Sequence, residues 1–115
     1  MRYLLLIYAD PETAPATPER WEAMLAEYGA YTSWLQETGA HLGGEALQPV
    51  SDATTVAVRD GRRVVTDGPF AETKEQLGGY YLIDVADLDG AIDAAARVPG
   101  AKLGRVEIRP ILEMG

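Results

Sequence analysis

Between Thr66 and Tyr81 the sequence gathers the groups best suited to chemistry: Asp67, Glu72, Lys74 and Glu75, the chain's only phenylalanine, Phe70, and the pair Tyr80-Tyr81. The stretch follows neither a strand nor a helix period, so folding alone does not explain it. A long connection holding an aromatic and several charges is where functional loops are usually found. Asp67 leads into Gly68-Pro69, which is turn chemistry, since Gly supplies unusual backbone angles and Pro fixes the next one. Two roles are open to its carboxylate. Buried in a cleft it would serve as a general acid or base; at the turn it would cap backbone amides. Gly68, Pro69 and Phe70 could shape a pocket wall. Glu72, Lys74 and Glu75 could bind a ligand or form the solvated first turn of a short helix. Tyr80 and Tyr81, with Tyr8, present hydroxyl tips to a pocket or sit half in the core.

Outside this stretch the chemistry thins. His41 is the only histidine and follows a predicted helix, where local dipole electrostatics compete with a catalytic role. It lies close to Gly43-Gly44 and could reach a cleft. Arg105 and Arg109 share a strand face, and could hold a carboxylate or pair across the sheet. No metal set is expected, because one histidine and scattered carboxylates have no ligand spacing. The glycine pairs lack the Lys-Ser/Thr sequel of a phosphate loop, and no cofactor is expected. With no cysteine, thiolate nucleophiles and disulfides are excluded, which fits a reducing compartment. An opening apolar run too short for a signal peptide makes a cytoplasmic setting the expectation.

These groups must be positioned by a single domain spanning residues 1–115. Residues 2–8 read as a strand apolar on both faces. Thr17-Pro18-Glu19 is a helix start, and Trp21, Met24, Leu25, Tyr28, Tyr31 and Leu35 follow at helical spacing, with Gly39 as the stop. A short strand is expected over Leu42–Leu47. A hairpin, Thr54–Arg59 and Arg62–Thr66, closes on Asp60-Gly61. A strand follows over Gly79–Val85. Asp87 caps a second helix carrying Leu88, Ala91, Ile92 and Ala95, stopped by Pro99-Gly100, and Arg105–Ile111 is the last strand. The fold class is α+β: a ferredoxin-like βαββαβ arrangement with an extra hairpin strand.

Two helices cover one sheet face only, yet the first strand and Gly79–Val85 are apolar on two. Soluble monomers rarely leave such a patch bare, so the pattern predicts a homodimer packed sheet to sheet. The net charge of −8, with no basic run, argues against nucleic acid and anionic membranes, and leaves a small molecule or a protein as partner. The opening apolar run, ending at Asp10-Pro11, is too short for a membrane span.

The string Asp67-Gly68-Pro69-Phe70-Ala71-Glu72-Thr73-Lys74-Glu75, then Gly78-Gly79-Tyr80-Tyr81, resembles the hallmark of the YCII-related family in its DGPF-type branch. The likeness extends to Tyr3–Tyr8, to Gly43–Pro49 and to Val106–Pro110. It implies a dimeric α+β barrel, agreeing with the two-faced strands. In some bacteria such genes neighbour extracytoplasmic-function sigma factors, which implies a regulatory partner of that class. Another branch resembles an enzyme with a His–Asp pair. Only the aspartate matches here, at Asp67, and no histidine lies in a matching motif. The likeness therefore implies either a small cofactor-independent enzyme using Asp67, or a non-catalytic ligand-binding or regulatory module.

Overall fold

A computed structural model describes residues 1–114 of the chain. The strands are β1 (Arg2–Ala9), β2 (His41–Ala46), β3 (Thr54–Arg59), β4 (Arg62–Asp67), β5 (Gln76–Asp84) and β6 (Arg105–Pro110), with helices α1 (Pro18–Glu37) and α2 (Leu88–Ala96). Four strands form one antiparallel sheet in the order β2-β5-β1-β6, so the two strands that lead into the helices lie centrally. This is the expected βαββαβ order. The hairpin strands β3 and β4 do not join it; they pair with each other as a separate two-stranded sheet inserted between β2 and β5.

Local chemistry explains the elements. The Thr17 hydroxyl accepts from the Arg20 amide at 3.2 Å and Pro18 opens α1, while the Asp87 carboxylate accepts from the Gly90 amide at 3.0 Å to start α2. α1 ends where the Gly39 amide donates back to the Gln36 carbonyl, at the predicted stop. The hairpin turns at Asp60 and Gly61, with φ of 52° and 75°, the left-handed pair that a tight two-residue loop requires.

The core lies between the sheet and the helices. Tyr3, Leu5 and Ile7 of β1 and Ile83 of β5 meet Tyr31 and Leu35 of α1 and Ala91, Ala94 and Ala95 of α2. Both helices differ from their predicted faces. Only the second half of α1 is buried: Trp21 and Leu25 keep the spacing but overrun the sheet into solvent. In α2 the small residues face in, bringing the helix close to the sheet, and Leu88 and Ile92 are turned outward. Leu4, Leu6 and Tyr8 alternate onto the other sheet face, opposite Leu82, Tyr80 and Leu77 of β5, and no helix covers them. Among the described residues, no helix is long and apolar enough to cross a membrane.

Candidate functional site

β5 begins at Gln76, three residues before the predicted Gly79, because Gly78 is bulged and breaks the alternation between Leu77 and Gly79. The non-periodic stretch thus shrinks to a loop over residues 68–75 and contains no helical turn at Glu72–Glu75. Two bonds tie its start to the hairpin. The Gly68 amide donates to the Ala53 carbonyl at 2.7 Å, and Thr55 Oγ1 donates to the Gly68 carbonyl at 2.7 Å. Gly68 has φ of 96°, a backbone state that a side chain would strain. At the far end Lys74 Nζ stands 3.8 Å from the Asp10 carboxylate after β1, and Glu75 pairs with Arg105 of β6 at 3.3 Å. The loop is thereby strapped across one end of the main sheet.

Beneath it lies an open cleft of about 530 Å³, within the range usual for small-molecule sites. Its floor is Tyr8 and Leu77, paired across β1 and β5. Leu47, Pro49 and Val50, from the connection after β2, form one wall, and Pro69 and Phe70 form the other. Polar groups are few: Gln48 and Asp52 on one side, Thr73 and Gln76 on the other. Phe70 is 91% exposed, an aromatic standing at the rim with its ring largely in water.

The predicted site residues divide. Pro69 and Phe70 line the cleft; Asp67, Gly68, Glu72 and Lys74 do not. Asp67 is the last residue of β4, opposite Thr54, and its exposed carboxylate makes no hydrogen bond among the described residues. Backbone and Thr55, not the Asp67 carboxylate, hold the turn at Gly68. Lys74 and Glu75 are straps, while Glu72 is exposed. Tyr80 stands on the open sheet face opposite Leu6. Tyr81 stands on the covered face, its ring edge-on to Tyr31 at 5.1 Å and its hydroxyl sharing a 2.8 Å hydrogen bond with Thr32 Oγ1, so it belongs to the packing. His41 opens β2 opposite Ile83, near Tyr81, at the end of the sheet away from Gln76. Seven residues of β5 separate those ends, roughly 23 Å, so His41 and Asp67 do not form a pair within one chain. Arg109 pairs with Glu107 on its own strand.

Burial acts on two phenols behind the site. Tyr31 donates to the Ala94 carbonyl at 2.8 Å, and its removal from water pushes its pKa well above the ordinary phenol value. Tyr28 is shifted the same way by burial, although the Gly100 amide, donating to its hydroxyl at 3.2 Å, partly opposes the shift. No charged side chain is buried among the described residues, and no cluster of three or more His, Cys, Asp or Glu residues converges there.

The sequence does not present the cleft wall over residues 47–53 as part of a site, although its first residues fall within the family likeness over Gly43–Pro49. Its signal was apolar residues, Leu47 and Val50, in a proline-containing connection, where solvent exposure favours polar ones.

A family model described as the YCII-related domain matches residues 1–115. The chain belongs to the YCII-related family. An uncharacterized protein of Rhizobium meliloti (strain 1021) is 41% identical to this YCII-related chain over 115 residues, covering 96% of it and 92% of the relative.

Proposed function

We propose that this YCII-related protein binds a small, mainly apolar organic molecule in the cleft under the 68–75 loop, as a homodimer. The observation that carries the reading is the cleft itself, with its floor of Tyr8 and Leu77 and the exposed Phe70 at its rim. Apolar walls with a few polar groups are the usual composition of a small-molecule site. The polar groups are amides, a hydroxyl and the Asp52 carboxylate, with no lysine or arginine. That set favours a neutral or weakly basic ligand over an anion. The uncovered sheet face supports the homodimer: Leu4, Leu6, Tyr80 and Leu82 form an apolar surface there, continuous with Tyr8. A second copy on that face would stand beside the cleft. Membership of the DGPF-type branch and a cytoplasmic setting complete this reading, on the Asp67–Glu75 string and the lack of cysteine.

An acid–base role for Asp67 asks for more than one chain supplies, since its carboxylate is in water and away from His41. Binding without turnover is therefore the preferred reading.

Titration with a neutral apolar fluorophore such as Nile red, followed by a panel of uncharged fragments in thermal unfolding, tests it. Saturable binding and concentration-dependent stabilisation are expected. Phe70→Ala should weaken both while leaving the unliganded midpoint nearly unchanged, because Phe70 is so exposed. Equal binding by Phe70→Ala, or no saturable binding by a folded protein, would overturn the assignment. Turnover of a bound fragment that is lost in Asp67→Asn would favour the enzyme instead.

A further inference from the structure

Among the described residues, a single charged side chain lines the cleft. It is Asp52, at the end of the short helical turn Val50–Asp52 that follows β2. Its backbone is fixed on both sides. The Asp52 amide donates to the Pro49 carbonyl at 2.9 Å, and the carbonyl of the next residue, Ala53, accepts from the Gly68 amide at 2.7 Å. That second bond extends the β3–β4 ladder one step beyond Thr54 and Asp67, so Asp52 and Pro69 leave the hairpin side by side, with Phe70 next along the loop. The Asp52 carboxylate is exposed and makes no ion pair or hydrogen bond among the described residues.

The charges around it have the same sense. The two cations that strap the loop already stand against carboxylates, Lys74 against Asp10 and Arg105 against Glu75. Asp67, Glu72 and Glu45 are exposed and have no such partner among the described residues. Asp67 precedes Gly68, Glu72 lies in the loop, and Glu45 stands on the open sheet face opposite Tyr80, two residues before Leu47 of the cleft wall. An anion entering here meets unpaired carboxylates, with a net charge of −8 behind them. Phe70 adds a second element: its ring stands in water at the rim, and the negative face of a phenyl ring attracts an ammonium group.

We infer, resting on the cleft reading above, that the ligand is an organic cation, with an apolar body seated on Tyr8 and Leu77 and an ammonium group meeting the Asp52 carboxylate on the Phe70 side of the cleft. An exposed ion pair alone discriminates only a few-fold. The apolar walls remove part of the water around it and the aromatic ring adds to it, so a cation is preferred over a neutral ligand of the same shape by about tenfold.

Three compounds of one shape test the charge: naphthylmethylamine, protonated at neutral pH, naphthylmethanol and naphthoate, each titrated against the wild-type protein at low salt. The amine should bind about tenfold more tightly than the alcohol, and the naphthoate most weakly. Asp52→Asn should bring the amine down to the affinity of the alcohol and leave the alcohol unchanged. Glu37→Gln removes the same unit of charge from the exposed end of α1, and should keep the full preference. An amine that binds no better than the alcohol would overturn the cation assignment and leave a neutral-ligand cleft standing. So would an advantage that survives Asp52→Asn, or one lost equally in Glu37→Gln. Saturable binding of none of the three by a folded protein would overturn the cleft reading together with it.

Discussion

Asp67 and Tyr31 stand at opposite extremes of solvation, and their chemistry differs accordingly. The aspartate, conspicuous in the sequence, ends its strand in open water. The tyrosine, one of several at helical spacing, is buried with its hydroxyl committed to the Ala94 carbonyl. Burial favours its neutral form, so its folded pKa lies above the unfolded value of about 10. Above that pH the unfolded chain has given up a proton that the folded chain retains. Stability contributed by Tyr31 is therefore complete below about pH 10 and falls as pH rises beyond it. Denaturant midpoints measured from pH 8 to pH 11 should decline above pH 10, and Tyr31→Phe should flatten the decline. The phenylalanine variant should also lose about 1 kcal/mol at neutral pH, because the Ala94 carbonyl loses its buried partner. A midpoint independent of pH in the wild type would contradict the burial assigned to this phenol.

At the scale of elements, the 68–75 loop is defined by what holds its two ends. Gly68→Ala adds a side chain where nothing is crowded, so its effect isolates the backbone conformation. At φ of 96° the cost should be about 1–2 kcal/mol. It should appear as a lower unfolding midpoint together with faster amide exchange at position 68, whose bond to the Ala53 carbonyl depends on that backbone state. An unchanged midpoint would mean that the turn does not require this geometry. Elements specified by local chemistry were legible in the sequence: the hairpin from Asp60-Gly61, and the helix starts from Thr17-Pro18 and Asp87. Where tertiary geometry decided, the pattern misled. Trp21 and Leu25 keep the helical period, but α1 outruns the sheet beneath it. Gly78 and Leu42 are bulged, which hid the start of β5 and shifted that of β2. Of the candidate site, Pro69 and Phe70 were legible as a wall. The opposite wall was not, because Leu47 and Val50 carry no chemistry and come close only through the fold.

For the whole molecule, shape carries the argument. The chain spans 48 × 46 × 18 Å with a radius of gyration of 16.1 Å, against about 13 Å for a compact domain of this length. The short axis accommodates one sheet and one layer of helices, which leaves the second sheet face bare. The projecting hairpin accounts for part of the extra breadth. A charge placed at the centre of the bare face should therefore leave the single chain intact and act on assembly alone. Leu6 is central, lying between Tyr80 of β5 and Glu107 of β6 and pointing away from the helices. Leu6→Glu should retain the wild-type circular dichroism, since the core of Leu5, Leu35 and Ile83 lies on the other face. If the proposed homodimer packs through this face, its sedimentation mass should fall from two chains to one, because burying a carboxylate in an apolar sheet-to-sheet contact carries a desolvation cost of several kcal/mol. A folded Leu6→Glu protein that still sediments as a dimer would exclude the sheet face as the interface.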